Sequence, residues 1–506
     1  MKSVPYKKKA AALFLKTLLL SMAAALIVCA VPVKAGAESD EIDKEQIDAF
    51  MYESMTKLQI PGASLAIVKG DQVPYQNGYG ISGPGRTPVT AQTPFVIGSV
   101  SKSFTALAVM QLADAGKIDL EAPVRQYLPW FRVADEAASA QIRVKHLLHQ
   151  TSGLPTYDGQ VSLTQGGLPI EQHLRNLKQV KLTKPVGTAY QYSNLNYDIL
   201  GGIIEAVSGM SYGDYIMQNI YAPLDMTHSY ASPNSAQDLA TGYQPVFGLM
   251  LPTKMINHEG TVPSGYLVSS AEDMSKYLIA QINQGQFGNT AIVSGQSAAL
   301  MHTPAALMWG NQYYGMGWSI DKDRNWVYHD GSTENTYSKM IIDGDYGIIL
   351  LVNSMDFFHI DAYDQITAGI DRILHGEEPV TAGMDTYKKD FLIVDAIALA
   401  VLLYLAGSIR GLFRWNTHFK PTKLRIAIQV LSITFIHALI PLVILFVLPK
   451  VLVPWPVIFV FLVGLGHFMY YASIALLAVG VIKSLLLAYS IRKQKNGHNP
   501  AGRVAG

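Results

Sequence analysis

Ile97-Gly98-Ser99-Val100-Ser101-Lys102 opens a stretch in which Phe104, Leu107, Ala108 and Leu112 recur at the i, i+3, i+4, i+8 spacing of a buried helix face. Ser99 therefore stands at a helix N-terminus, where free N–H groups and the helix dipole favour developing negative charge. Residues i and i+3 share a helix face, so Lys102 reaches back beside the Ser99 hydroxyl. A serine needs a base to act as a nucleophile near neutral pH, and a lysine walled in by apolar groups can lose its proton and serve. Taken alone, the same residues also fit ordinary capping, with Ser99 or Ser101 as the N-cap and Lys102 solvated.

Two further groups give the serine–lysine pair chemical company. Tyr192-Ser193-Asn194 supplies a phenol able to pass a proton to and from a leaving group, and an amide able to orient both a substrate amide and the lysine. His329-Asp330-Gly331 stands at the end of an expected strand, where a glycine lets a substrate backbone lie along the strand edge. The N–H of the following Ser332 then pairs with the N–H of Ser99 as an oxyanion hole. His329 is read as a ligand for a substrate carboxylate or as a group polarising the cluster; an exposed strand histidine is the plain alternative.

Strand signals flank this region. Ser64–Val68 and Gln72–Tyr79 read as a hairpin around Lys69-Gly70-Asp71, and Lys339–Ile342 and Ile348–Val352 as another around Asp343-Gly344-Asp345. Trp318–Ile320 and Trp326–His329 form a third, while the middle of the chain is mainly helical. Strands near both ends with helices between them predict one antiparallel sheet covered by helices, an α/β (α+β) fold.

The order S-x-x-K, Y-x-N, [K/H]-x-G, carried by Ser99–Lys102, Tyr192–Asn194 and His329–Gly331, resembles the serine β-lactamase and penicillin-binding-protein family, in particular its class C branch. The supporting text includes Pro61-Gly62-Ala63, Gly78-Tyr79-Gly80, the run from His146 to Pro155, Asn196-Tyr197-Asp198, Gly265-Tyr266-Leu267 and Tyr314-Gly315-Met316-Gly317-Trp318. The resemblance implies a class C-like antiparallel sheet flanked by helices, a helical subdomain with the site between them, a covalent acyl-enzyme on Ser99, and neither cofactor nor metal. Ser99, Lys102 and Tyr192 are then catalytic, and Asn194, His329, Gly331 and Ser332 bind substrate. His329 departs from the lysine of the β-lactamases, replacing a permanent cation by a group with an unperturbed pKa of about 6.5, which puts β-lactamase activity in doubt. Gly209-Met210-Ser211-Tyr212-Gly213 matches the lipase elbow, but a helical pattern precedes Ser211 and the serine is read as a cap. His146 and His149 have metal-like spacing without a third ligand.

The rest of the chain points to a membrane. Only 15% of its 506 residues are charged, and 39 Lys and Arg against 38 Asp and Glu offer no concentrated basic face for nucleic acid. Residues 1–37 read as an export signal: Lys7-Lys8-Lys9, an apolar run from Leu18 to Val33, and Ala35-Gly36-Ala37. An uncleaved anchor, or a lipid on Cys29, stays open. Residues 38–385 form the expected hydrolase domain, followed within 386–490 by three spans, about 391–409, 426–448 and 467–489. Val451–Gly466, with Pro454-Trp455-Pro456, reads as an interfacial or re-entrant piece. Arg410, Arg414, Lys420, Lys423 and Arg425 of the first loop and the basic tail, 491–506, place those segments in the cytoplasm and the hydrolase domain outside. The spans are read as an anchor in membrane lipid, although Asp395 within the first keeps a transport role open. The expected substrate is a small peptide or ester, with peptidoglycan stem peptides ending in D-alanine first and D-alanyl esters next. Peptidases that mature nonribosomal-peptide prodrugs share the layout, and a β-lactam or cell-wall-fragment sensor is the non-enzymatic alternative.

Overall fold

A computed structural model describes residues 42–497 apart from Gly166 and Leu452. The export segment 1–37 with Cys29, and Arg503 of the basic tail, lie outside the described residues. From Lys44 onward the chain forms one unit.

After helix α1 (Lys44–Leu58), strands β1 (Gly62–Lys69) and β2 (Gln72–Gly80) form the first hairpin. The other strands of the sheet come late: β3 (Ala306–Trp309), β4 (Gln312–Tyr314), β5 (Ser319–Asp321), β6 (Trp326–Ser332), β7 (Tyr337–Asp343) and β8 (Tyr346–Val352). Together they make an eight-stranded sheet in the order β2-β1-β8-β7-β6-β5-β4-β3, every pairing antiparallel. β1 meets β8 with Ala63 opposite Val352 and Lys69 opposite Tyr346, so the two ends of the domain close on each other. These central strands are apolar on both faces because both faces are covered. Ala66, Val68, Ile349 and Leu351 join the large core with Met274, Tyr277 and Leu278 of helix α4 (Ala271–Ile282). Leu65, Ile67, Ile348 and Leu350 point the other way and are equally buried. Helices α1 and α5 (Ile360–Leu374) pack together beside β7 and β8.

The helical region between the two sets of strands centres on α2 (Ser101–Asp114) and α3 (Asn194–Ser208). α2 is enclosed on all sides: every residue from Ser101 to Met110 is buried. The stripe of Phe104, Leu107, Ala108 and Leu112 is therefore only part of a helix with no solvent face.

Three helices are long and apolar enough to cross a membrane: Met384–Phe413, Lys423–Val451 and Leu465–Lys495, of 30, 29 and 31 residues. At 1.5 Å per residue each is about 45 Å long, more than the ~30 Å thickness of a hydrocarbon core. The long helices are α6 (Tyr387–Phe413), α7 (Lys423–Val451) and α9 (Leu465–Gly497). Between α7 and α9 lies α8 (Trp455–Phe461), whose seven residues reach about 10 Å and cannot span. The membrane segment does not hang on a loose tether. The Tyr387 hydroxyl donates to Gly248 O at 3.2 Å, and His359 bridges Asp356 at 2.6 Å and Asp390 of α6 at 3.3 Å. Gln244 Nε2 donates to Val460 O of α8 at 2.9 Å, and Phe247 meets Phe468 edge-on. All of these except His359 belong to or contact the hairpin Tyr243–Val246/Leu249–Pro252, whose tip residue Leu249 is 66% exposed beside the membrane helices. Asp395 lies toward the same hairpin, near Gly248, at the domain-facing end of its helix.

Candidate functional site

Ser99 sits in a short 3-10 turn, Gly98–Val100, that runs directly into α2. The turn is pressed against the end of β6 so closely that two glycines are required. A side chain on Gly98, at φ +52°, would put its first carbon 2.5 Å from Ser332 N. One on Gly331 would lie 2.2 Å from Ile97 O and 3.0 Å from Ser99 N. The space beside Gly331 thus belongs to the serine turn, and the contact between strand and turn is what demands glycine there. That contact sets the main-chain nitrogen of Ser332 against the serine turn and that of Ser99 against Gly331.

Lys102 is fully buried, with no accessible surface. Its Nζ lies 3.0 Å from Ser99 Oγ, 2.8 Å from Asn194 Oδ1 and 2.5 Å from Ser264 O. Asn194 is oriented by its Nδ2, which donates to Gly159 O at 3.1 Å, so its carbonyl oxygen faces the lysine. No carboxylate touches the amine. Burial pushes the Lys102 pKa down to about 7, against the more distant pull of Asp198 and Asp330. A neutral amine has two N–H groups and one lone pair. Asn194 Oδ1 and Ser264 O can only accept, which uses both donors and leaves the lone pair for the Ser99 hydroxyl. The Tyr192 hydroxyl donates to Ser99 Oγ at 2.9 Å. Burial, reinforced by Tyr314, holds the Tyr192 pKa well above its ordinary value, so the phenol keeps its proton. The three groups form one directed chain, Tyr192 to Ser99 to Lys102.

Tyr192 and Asn194 are set by the turn that follows His149. Gln150, held at φ +56°, accepts from Ser193 N at 2.9 Å and from the Asn196 side chain, and its own carbonyl accepts from Gln191 N at 2.8 Å. His146 caps its own helix by accepting from Arg143 N at 3.2 Å. Ser211 likewise caps the helix Tyr212–Ile216 and follows α3, not a strand.

A β-lactamase family model matches residues 47–369. The chain belongs to the β-lactamase family. It is 28% identical over 382 residues to Protein flp of Staphylococcus aureus (strain MRSA252), spanning 74% of this chain and 75% of that one. It is 27% identical over 350 residues to the unguisins hydrolase ungD' of Aspergillus campestris (strain IBT 28561), spanning 64% and 62%. Among solved structures it is similar to the octameric penicillin-binding protein homologue from Pyrococcus abyssi, with a TM-score of 0.59 and 29% identity over 67% of this chain and 78% of that one. A class C β-lactamase, at TM-score 0.56 and 22% identity over 66% and 95%, shares the fold. In general terms the protein is a serine hydrolase of the β-lactamase and penicillin-binding type with three apolar C-terminal helices.

Against the β-lactamase pattern, the third motif differs in more than residue type. His329 is buried, its Nδ1 donates to Asp330 O at 2.6 Å, and its Nε2 accepts from the Tyr314 hydroxyl at 3.3 Å. Both ring nitrogens are thus occupied within the protein. Burial also pushes its pKa well below the ordinary range, so the ring is neutral. The cationic end that a lysine offers is missing from this position.

Ser99, Thr156, Tyr192 and Ser332 lie where two cavities of this β-lactamase-family domain meet. One, about 640 Å³, opens along β3 and carries Lys184, Tyr190, Trp309, His329 and Asp330. The other, about 200 Å³, is walled on its far side by Val453, Val457 and Phe461 of the membrane segment, with Leu163 and Phe357 beside them. Sequence reasoning missed Ser264, Gly159 and this apolar wall. A main-chain carbonyl leaves no side-chain signature, and the wall comes from a stretch whose composition announces only affinity for lipid. Tyr314 was visible as part of a quoted motif but not as the partner of His329.

Proposed function

We propose that the protein is a membrane-anchored, extracytoplasmic serine hydrolase acting through an acyl-enzyme on D-amino-acid-containing peptides or esters of the cell envelope. The observation that carries this reading is the Tyr192–Ser99–Lys102 chain with a lysine poised near neutrality. Ser99 Oγ attacks the carbonyl carbon while its proton passes to Lys102 Nζ. The oxygen that becomes negative is held by the N–H groups of Ser99 and Ser332. As the tetrahedral intermediate collapses, Tyr192 gives its proton to the leaving oxygen or nitrogen and is reprotonated through Ser99's former proton on Lys102. Water then attacks the acyl-enzyme by the reverse route, with Lys102 and Tyr192 again moving its proton. Asn194 orients Lys102 and the substrate amide.

Neutral His329 favours one side of the substrate question. A substrate with a free carboxylate beside the scissile bond finds no cation at position 329, and Lys184, the basic residue of the same cavity, is turned to Tyr190 O at 3.0 Å, so esters and amides lacking that carboxylate suit the site better than stem peptides with a free terminal D-alanine. The relative named as an unguisins hydrolase supports a hydrolytic activity for this chain. The apolar wall from α8 suits a substrate that carries an apolar group on that side of Ser99.

The test is a paired comparison on the full-length protein in detergent. D-alanyl methyl ester is expected to turn over at a rate abolished by Ser99→Ala, while benzylpenicillin acylates slowly. His329→Lys is expected to raise the benzylpenicillin acylation rate by about tenfold or more, the scale of one charge-assisted hydrogen bond. Fast wild-type acylation by benzylpenicillin, unchanged by His329→Lys, would return the assignment to carboxylate-bearing peptides.

A further inference from the structure

A third cavity, remote from Ser99, lies among the apolar C-terminal helices at the end that bears the basic loop. It measures about 560 Å³ and carries Arg410, Arg414, His418, Gln429 and Lys483. Gly407 and Gly411 stand one helical turn apart on α6 and line it; a side chain on either would meet nothing within 4 Å, so the depression is open where they lie.

The charges in it are uncompensated. Lys483, 8% exposed, places Nζ 3.1 Å from Ser408 Oγ and 2.9 Å from His437 Nε2, both neutral oxygen or nitrogen acceptors. His437 is fixed as an acceptor at Nε2 because its Nδ1 donates to Leu476 O at 3.0 Å; the Tyr404 hydroxyl lies 3.0 Å from the same Nε2 and 3.1 Å from Ser432 Oγ. Lys483 is also in hydrogen-bonding contact with the Tyr404 side chain, and no carboxylate receives any of its N–H groups. Among the described residues, no ion pair involves Arg410, Arg414 or Lys483. Arg410 and Arg414 are exposed and Lys483 is buried, so an anion entering the cavity meets three basic groups and no acid. One acceptor in the cavity is also orphaned: Gln429 Oε1 is buried and has no hydrogen-bond partner. It calls for a donor on the same ligand that brings the anion.

We propose that this cavity binds the headgroup of an anionic glycerophospholipid, its phosphodiester between Arg410, Arg414 and Lys483 and a headgroup hydroxyl donating to Gln429 Oε1. The assignment to a lipid over free phosphate rests on the surroundings. Phe413, 87% exposed, and Leu424, 72% exposed, stand beside the cavity's helices as apolar surface for acyl chains. Basic pockets between membrane helices at the charged interface take up such headgroups by the same combination of charge and depth. The site does not depend on the hydrolase reading.

Native mass spectrometry of the full-length protein in detergent tests it, with dioleoyl phosphatidylglycerol, dioleoyl phosphatidylcholine and sodium phosphate as separate probes. The expected result is one phosphatidylglycerol retained per chain in clear preference to phosphatidylcholine. Arg410→Gln/Arg414→Gln should weaken it by about thirtyfold, the worth of two basic residues near a membrane surface. Arg492→Gln/Lys493→Gln, outside the cavity, should leave it unchanged and guards against a general charge effect. Equal retention of the two lipids, or an unchanged affinity in the Arg410/Arg414 variant, would overturn the proposal. Displacement of phosphatidylglycerol by millimolar phosphate would assign the cavity to free phosphate and overturn the lipid.

Discussion

At the residue scale the account turns on where Lys102 keeps its proton. Its amine is held near a pKa of about 7 by burial and serves as base only when neutral. Hydrolysis is therefore expected to rise with pH through about 7 and to level off above it. Asp330 is exposed in the larger cavity, and its charge pulls the Lys102 pKa upward. Asp330→Asn removes that pull, so the acid limb of kcat/KM should move to lower pH with the plateau little changed. A shift to higher pH would show that another group sets the limb. Ser264 offers only its main-chain oxygen to Lys102, so Ser264→Ala should leave the profile where it is, whereas Asn194→Ala should lower kcat by about a hundredfold by freeing the lysine.

At the scale of elements, the site is a meeting of the serine turn, the end of β6 and the start of α3. Gly98 holds the first two together, and Gly98→Ala meets both a φ of +52° and the nitrogen of Ser332. It should cut turnover by about a hundredfold or more, as losing an oxyanion donor does, with circular dichroism showing the fold retained. These elements were largely legible in the sequence. The hairpins β1–β2 and β7–β8 announced themselves because buried strands are continuous apolar runs and their turns carry Gly70 and Gly344, both at φ +59°. That strands from both ends of the domain share one antiparallel sheet was also expected from these runs; which of them pair was not. Illegible were β3 and β4, whose short, half-exposed segments carry no clear alternation, and α8, where Pro454 and Pro456 marked a break but not what the helix would face. Phe461→Asp in α8 tests that last point. It should lower kcat/KM about tenfold or more for long-chain acyl esters, the loss of burying one aromatic side chain, and spare acetyl esters.

For the whole molecule, the apolar C-terminal helices dock on the hydrolase domain and complete the wall of one of its cavities. A chain ending at residue 385 lacks Val453, Val457 and Phe461, so its cavity is open on one side. It should hydrolyse short esters like the full chain but lose the preference for long acyl groups. The proposed orientation rests on charge alone, and thiol labelling in intact cells tests it. With Cys29 replaced by alanine, Gln237→Cys should react with a membrane-impermeant maleimide, and Thr417→Cys in the basic loop should react only after the membrane is opened. The reverse pattern would put the hydrolase domain in the cytoplasm. The spans as helices were legible from hydropathy; their full length was not, because charged and aromatic residues continue the helices beyond the apolar stretch.

Ser99, activated by Lys102, is the residue proposed to carry the acyl group. That assignment is tested by the intact mass of the full-length protein after brief exposure to a fluorophosphonate at pH 8, with peptide mapping of the adduct and with Ser99→Ala and Lys102→Met alongside. The account predicts a single adduct on Ser99, absent from Ser99→Ala and formed about a hundredfold or more slowly in Lys102→Met. An adduct that persists in Ser99→Ala, or labelling of Lys102→Met at the wild-type rate, would contradict it.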